Sequence, residues 1–563
     1  MLVLPGRKLM PVGAAVLSGL LLGCAVRFEQ LGGLLWIALV PLIWSIFNSK
    51  SYSELALASF LGGLAYGSLA LDWIRWADSD AGSLHRTREW FLLSQLCALV
   101  WPLVAVTARW LWMKRRVSPL LSLIPLWVAG DFLRVEVSEL VDGLGFPYLH
   151  LAYAPGVPLV MAQVADLGGI YAVASGIVAI NAVIAVVLQV VGQRLLSHGQ
   201  PKSQMFDGCR LPPVAILSLY VLLVITYGGI RLQQTQVQSG VHVIAMPRHA
   251  NWKRPHDTVE SWRLHSPLPP AAPSIGAAGR VRLCVWPECA FPGTLFGRIE
   301  RTGLLHADSA PLVGSNADEN RNATHAANLR QIADYASRLQ SVVVVGCIRQ
   351  DFSQGGWRRY NSAIVLQPDD LKPRYYDKFA LVPGTEGAPR FGAWLGYDSE
   401  ATFTAGSATP IFEAASAGAI SPRFAIAICY DACFPRTFRR YFSASGNAEP
   451  PEFFVVPGAE SVDRSGWLKK CLLRMTVLRA IETRRPFVRS IDDGYSGLID
   501  GNGQVLRRAA QLQLQSPFEM GNLPVDRRFS FYARLGDWFP VAAILPLVAA
   551  GFWPFHSSRR GQQ

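Results

Sequence analysis

Long apolar runs with almost no charge fill the first 231 residues and return once near the end, which leaves this part of the chain few ways to fold. They lie at about 10–27, 31–48, 55–74, 91–113, 118–135, 160–192, 212–231 and 539–555. A bilayer core takes roughly 20 helical residues, so several runs are long enough to cross, the first and last only just. Eight spans are expected. Hydrophobic residues make up 51% of the chain and charged ones only 17%, and mean hydropathy is +0.24, as suits a protein with several spans. The 17 Trp agree, because indole favours the membrane interface.

The formal net charge is +13, and its placement reads as topology. Arg7, Lys8, Lys50, Lys114, Arg115, Arg116, Arg194, Lys202, Arg210, Arg559 and Arg560 fall in alternate loops and at both ends. Retention of Lys and Arg in the cytoplasm puts both termini inside and residues 232–530 outside. The other loops carry fewer cations, namely Arg27, Arg75, Arg86, Arg88 and Arg134, and the 72–90 loop blurs the asymmetry. No basic stripe alternates with aromatics, so nucleic acid is not an expected partner. Arg7-Lys8 with Leu21-Leu22-Gly23-Cys24 imitates a cleavable secretory signal, but another apolar run follows at once, and the segment reads as the first span. Asp131 and Arg134 read either as a pair snorkelling at a span end or as a contact for a lipid headgroup.

Nine Cys without a CxxC pair disfavour a disulfide framework. The ten His lack ligand spacing, so no metal and no cofactor are expected.

From residue 240 the pattern changes to short β-rich runs alternating with helical ones. Val241–Ile244, Val281–Trp286, Val342–Val345, Asn361–Gln367, Arg374–Asp377, Phe424–Ile428, Phe453–Val456, Pro486–Ile491, Tyr495–Ile499 and Gln504–Leu506 read as strands. Residues 319–340, 434–443 and 465–484 read as helices, the first with Leu329, Ile332, Ala333, Ala336 and Leu339 on one face. This alternation indicates a layered α/β sandwich. The expected organisation is a transmembrane domain of about seven helices over 1–231, an extramembrane domain over 232–530, and a last helix with a cytoplasmic tail over 531–563.

Three of the strands end in reactive side chains: Trp286-Pro287-Glu288, Tyr375-Tyr376-Asp377-Lys378 and Ile428-Cys429. Ligand sites of open α/β sheets collect at strand carboxyl ends. A carboxylate to take a proton, a thiol to attack and an ammonium to hold an oxyanion suffice for acyl transfer onto sulfur. Singly, each residue is most simply a packing cysteine or a surface charge; three coinciding at strand ends make that reading weak. The bulky groups before Glu288 are expected to raise its pKa toward neutrality, and the positive end of the short helix after Cys429 to lower that of the thiol. Cys433, four residues on, is a rival nucleophile. Gly384, Gly387, Gly392 and Gly396 suggest a mobile flap after the lysine.

In this order and setting, Glu288, Lys378 and Cys429 resemble the triad of the nitrilase, or carbon–nitrogen hydrolase, superfamily. The flanking spans make the chain similar to the apolipoprotein N-acyltransferases of bacterial inner membranes. Leu381-Val382-Pro383 with Glu386, Gly145-Phe146-Pro147-Tyr148, Gln163-Val164-Ala165-Asp166, and Arg479-Ala480-Ile481-Glu482 with Arg485-Pro486 extend the resemblance over nearly the whole chain. It implies a multi-span α-helical membrane domain with a nitrilase-like αββα sandwich, a phospholipid acyl donor, a diacylated apolipoprotein acceptor and a Cys429 thioester between them. It further implies the inner membrane, a periplasmic catalytic domain, a monomer, and supporting roles for Trp252, Glu386, Tyr430 and Asp431. Asp431 stands where the family has Glu, Pro457-Gly458-Ala459-Glu460-Ser461 replaces a Ser-Asn-Asp-Ala-Trp-Phe-Gly loop, and Ala245-Met246-Pro247 replaces Gln-Gly-Asn. The sequence leaves open whether Trp467 takes the place of the lost tryptophan. A membrane-tethered amide or nitrile hydrolase and a catalytically degenerate lipid-binding membrane protein are the alternatives.

Overall fold

The structure is a computed structural model describing residues 6–77, 83–137, 145–196, 211–234, 237–246, 282–291, 294–299, 315–353, 356–368, 370–387, 403–414, 421–443, 449–461, 465–509 and 516–552. The chain divides into two compact units, Met1–Leu232 with Leu535–Gln563, and Gln233–Arg534.

The first unit is helical. Among the described residues, six segments are long and apolar enough to cross a membrane: Met10–Arg27, Glu29–Asn48, Tyr52–Trp76, Leu84–Arg115, Ala165–Val191 and Pro212–Gln233. The runs at 118–135 and 539–555 form shorter helices. Pro119–Phe132 has Pro125 inside it and passes into a π turn at Leu133–Val137, and Trp538–Phe552 contains Pro546. The helix Ala165–Leu196 is interrupted at Gly168 and Gly169. Gly169 has φ 67°, and a Cβ on Gly168 would come within 2.7 Å of the Phe539 ring, so the break needs both glycines.

Two charge pairs in these helices are largely buried. Asp166 accepts from Tyr227 Oη at 2.7 Å and pairs with Arg231 at 2.5 Å. Asp131 and Arg134 pair at 3.1 Å with their side chains only 8% exposed, and Arg134 also donates to the Phe146 carbonyl at 2.6 Å. The pair therefore does not snorkel; it ties a helix end to the Gly145–Tyr148 segment.

The second unit is a four-layer αββα sandwich. One sheet has the order β13-β1-β2-β4-β5-β6, with β3 also on β4; the other runs β12-β11-β10-β9-β8-β7. The strands of the first are β1 (Val237–Ala245), β2 (Arg282–Val285), β3 (Thr294–Ile299), β4 (Val342–Ser353), β5 (Gly356–Gln367), β6 (Asp370–Asp377) and β13 (Phe518–Val525). Those of the second are β7 (Phe412–Glu413), β8 (Arg423–Ile426), β9 (Phe453–Ala459), β10 (Phe487–Asp492), β11 (Gly497–Ile499) and β12 (Val505–Arg508).

Strand periodicity assigns the side chains to layers. Leu283, Val285, Val342 and Val344 meet Phe424, Ile426, Phe453 and Val455 between the sheets. Their neighbours Cys284, Trp286, Val343 and Val345 pack outward on Ile332, Ala333 and Ala336 of the helix Ser315–Leu339. On the other side Ala425, Ala427, Phe454 and Val456 pack on Phe438 and Tyr441 of the helix Pro435–Ser443 and Ala480 of the helix Trp467–Thr483. Strands buried on both faces read as continuous apolar runs, which is why β4 and β8 were legible in the sequence. β3, β7 and β13 were not: β7 has two residues, and β13 is amphipathic with Gly521 and Pro524 inside it.

Candidate active site

β2, β6 and β8 deliver the three strand-end residues to one place. Beyond β2, Trp286 anchors outward with its ring 5.8 Å from Tyr335, and Glu288 follows two residues later. Gly346 of β4 backs it so closely that a Cβ there would lie 2.3 Å from the Pro287 carbonyl oxygen and 2.7 Å from Glu288 Cα. Lys378 extends the β6 ladder: its N–H donates to the Asn361 carbonyl at 2.8 Å, and its own carbonyl accepts from the Gly406 N–H at 2.8 Å. Cys429 follows β8 in a left-handed conformation, φ 48°, and opens a 3-10 turn through Cys433. A side chain with a Cβ is strained there; the turn's hydrogen bonds hold it.

Glu288 is the hub. Its Oε1 accepts from Lys378 Nζ at 2.9 Å and from Asn361 Nδ2 at 2.7 Å, and its Oε2 from the Ala459 N–H at 3.0 Å. The Cys429 thiol donates to the Ala459 carbonyl at 3.5 Å, beside the Ala459 N–H that Glu288 accepts. Lys378, 1% exposed, sits between two carboxylates, with Glu386 Oε2 at 2.8 Å. The tight turn Val382–Gly387 carries Glu386 back, its Oε2 accepting the Val382 N–H at 2.9 Å. Gly384 and Gly387 belong to that turn, while Gly392 and Gly396 lie outside the described residues, as does Trp252.

Asp431, fully buried, ties the cysteine turn to the lysine strand. Its Oδ2 accepts from Ile428 N–H at 2.9 Å and Tyr376 Oη at 2.8 Å, and its Oδ1 from Ala380 N–H at 2.7 Å. A shorter carboxylate than the family's Glu thus still fills three hydrogen bonds. Tyr430 is buried, its ring centroid 5.0 Å from that of Phe434 and nearly perpendicular to it. Cys433 is fully buried, and burial pushes its thiol up, which suits a packing residue. Trp467 is likewise buried, in the first turn of its helix.

The electrostatics overturn two sequence expectations. Burial works to raise the Glu288 carboxyl, but the Lys378 charge and the hydrogen bonds from Lys378 and Asn361 outweigh it and hold the group below its usual range. The apolar neighbours were visible in sequence; the ammonium from 90 residues away was not. Burial and the Glu288 charge raise the Cys429 thiol well above its ordinary value, against Lys378 and the Ala459 backbone. Burial opposes the charge on Lys378, yet Glu288 and Glu386 keep it protonated. The resting state is thus a neutral thiol facing an ionised carboxylate beside an ammonium. Such a set can pass the proton to the carboxylate as an electrophile reaches the sulfur.

Sequence reasoning missed Asn361, whose Nδ2 also donates to Glu386 Oε1 at 2.6 Å and so bridges the two acids. Its only signal was an amide inside β5, shortly before the apolar run 363–366. It also missed that the segment replacing the lost loop works through backbone: Ala459 contacts Glu288 with its N–H and Cys429 with its carbonyl. Next to it, Glu460 is buried against Arg489 at 2.5 Å. Among the described residues no group of three or more His, Cys, Asp or Glu is gathered to hold a metal ion.

Two family models match, one in each unit. Residues 18–183 match the apolipoprotein N-acyltransferase N-terminal domain, and 240–449 match carbon-nitrogen hydrolase. A helical domain of that kind and a sandwich of that kind in one chain decide the identity. The chain belongs to the apolipoprotein N-acyltransferase family. A family relative from Geobacter metallireducens is 26% identical over 96% of this chain and 94% of its own. Another, from Rhodopseudomonas palustris, is 27% identical over 95% and 93% respectively; both carry the name apolipoprotein N-acyltransferase. A solved CN-hydrolase superfamily protein from Xanthomonas campestris overlays with a TM-score of 0.32 and 18% identity, covering 50% of this chain and 89% of its own. With its apolar helical segments and this family, the chain is a membrane protein that carries a carbon-nitrogen hydrolase sandwich.

Proposed function

We propose that this chain moves a fatty acyl group from a phospholipid to the α-amine of the N-terminal diacylglyceryl-cysteine of apolipoproteins, as a step of lipoprotein maturation. One observation carries the reading: Glu288 accepts the Lys378 ammonium and the Ala459 N–H, and the Ala459 carbonyl accepts the Cys429 thiol, so carboxylate, ammonium and thiol meet in one place. It occurs in a chain with six membrane-length helical segments among its described residues.

Glu288 takes the Cys429 proton as the sulfur attacks the ester carbonyl of the donor. Lys378 Nζ, with the backbone N–H of Tyr430, stabilises the tetrahedral oxyanion. Collapse breaks the ester C–O bond, the lysophospholipid oxygen takes the proton back from Glu288, and the acyl group remains as a Cys429 thioester. The acceptor amine then attacks that carbonyl and loses its proton to Glu288. Expulsion of the sulfur forms the amide, and the proton returns to Cys429. Asn361, Glu386 and Asp431 hold this set in place, and the family resemblance assigns Trp252 a role toward the substrate. The distribution of Lys and Arg supports a multi-pass protein of the bacterial inner membrane, with residues 232–530 on the periplasmic side. A monomer suffices, since the triad comes from one chain.

The test is mass spectrometry of a diacylated lipopeptide with a free N-terminus, incubated with the purified chain and a phospholipid in mixed micelles. One added acyl chain in amide linkage is expected, with release of lysophospholipid. Release of free fatty acid with no transfer would favour the hydrolase alternative; saturable phospholipid binding with no turnover would favour the lipid-binding one. Cys429→Ala should carry no thioester.

A further inference from the structure

Among the described residues the cations at the Cys429 site are already paired. Lys378 is shared between Glu288 and Glu386, and Arg489 is committed to Glu460. A donor that brings its ester carbonyl to Cys429 also brings a phosphate diester, a few bonds away, toward this negative surround. An uncompensated anion there would be repelled. A counter-charge should therefore lie close to the triad but outside it.

The helix Pro435–Ser443 begins two residues after the cysteine turn and carries Arg436, Arg439 and Arg440. Residues four apart share a helix face. Arg440 accordingly lies over Phe379, its guanidinium carbon 4.1 Å from the centroid, and Arg436 lies between that ring at 5.7 Å and Phe434 at 5.3 Å. Arg439 points elsewhere, over Tyr532 at 5.2 Å. Phe379 directly follows Lys378, and the next residue, Ala380, is the one Asp431 grips from the cysteine turn. The two arginines are thus fixed to both strand ends that form the site. All three side chains are half-buried.

Arg440 donates to the Ser407 carbonyl and forms no ion pair among the described residues. A guanidinium carbon 4.1 Å from a ring centroid is within cation–π range, and a guanidinium carries the paired N–H donors that grip two oxygens of a phosphate. We propose that Arg436 and Arg440, beside Phe379, bind the phosphate diester of the donor phospholipid and so set its ester over Cys429. This rests on the transferase reading and names the donor subsite within it.

The test compares two acyl donors with and without a phosphate: phosphatidylethanolamine in mixed micelles, and a p-nitrophenyl fatty ester. Thioester formation on Cys429 is followed by mass spectrometry. In R436Q/R440Q the phospholipid concentration for half-maximal acylation should rise roughly 10- to 100-fold, while acylation by the phosphate-free ester stays as in the wild type. R440K, which keeps the charge and the ring contact but loses the fork, should fall between. An unchanged phospholipid dependence in the double variant would overturn the proposal. So would equal losses with both donors, since that marks a structural role for the helix; R440K then reports whether the fold alone was at fault, because a fold-only effect would spare it. A wild-type chain that takes an acyl group from neither donor would overturn the transferase reading and this subsite with it, an outcome distinct from the first two.

Discussion

Asp431 accepts the backbone N–H of Ala380 across 2.7 Å, joining the turn that carries Cys429 to the strand end that carries Lys378. The bond spans 51 residues of sequence and is closed off from water. Burial lifts the Asp431 carboxyl to about 6, against the pull of the Ala380 and Ile428 N–H groups, Lys378 and Tyr376. Its folded-state pKa is therefore above the value of 3.8 for the free side chain. A raised carboxyl binds its proton more tightly in the folded state, so its contribution to stability is full below pH 3.8 and is lost as pH rises through about 6. The catalytic effect runs the other way, because all three hydrogen bonds need Asp431 as an acceptor. Acylation of Cys429 should fall as pH drops below about 6, and Asp431→Asn should remove that limb while lowering the rate at pH 7.5. Thermal midpoints and single-turnover acylation between pH 5 and 8 check both directions.

Asn361 holds Glu288 and Glu386 through one amide nitrogen, at 2.7 and 2.6 Å. A hydrogen bond to a charged group contributes about 1.5–3 kcal/mol, and each 1.4 kcal/mol is tenfold. Asn361→Ala should slow acylation by roughly 10- to 100-fold. Asn361→Asp should be worse, since it places a third carboxylate against the first two. Single-turnover rates on folded protein decide this.

Gly346 and Gly458 should respond unequally to alanine. At Gly346 the new Cβ meets only backbone, the Pro287 oxygen at 2.3 Å, the Cys289 nitrogen at 2.7 Å and Glu288 Cα at 2.7 Å. Nothing there can swing aside, so Glu288 must move, with an overpacking cost of about 1–3 kcal/mol and near-complete loss of acylation. At Gly458 the closest atom is Ile491 Cδ1 at 2.9 Å, the free end of a side chain, with Cys429 Cα at 3.4 Å. Gly458→Ala should keep most of the activity. Equal losses would show that the Glu288 backbone yields more than its packing implies.

Lys378→Met leaves two carboxylates buried without their cation. Breaking a buried pair by removing one partner costs about 3–5 kcal/mol, so this variant should unfold at markedly lower denaturant as well as lose acylation. Glu386→Gln keeps a side chain that can accept from Lys378 Nζ and should cost less stability. Denaturant midpoints of the two variants, compared in the same detergent, test the order.

The site was partly readable because strand ends have a local signature. β2 and β8 are apolar runs that stop at Pro287 and Cys429, and β6 stops at Lys378. Asn361 had no such mark, being one amide in a strand of ordinary β composition. Ala459 had none at all, since its contacts to Glu288 and Cys429 are made by its main chain, which every residue possesses. The Arg134 side chain was placed at an interface from its position near a span end, and it is instead buried on Asp131 and the Phe146 carbonyl.

Sequence alone determined the membrane-length helices, the buried strands with their alternating faces, and the three side chains that close those strands. Each follows from the spacing of apolar residues over a turn of helix or a few residues of strand, a range the chain itself spells out. Tertiary structure alone decided the charge state of the site. Glu288 stands below its usual pKa rather than above it because Lys378 and Asn361, 90 and 73 residues away, reach its carboxylate. In a buried site the balance between desolvation and a paired charge is set by distances of about 3 Å, and only folding fixes them.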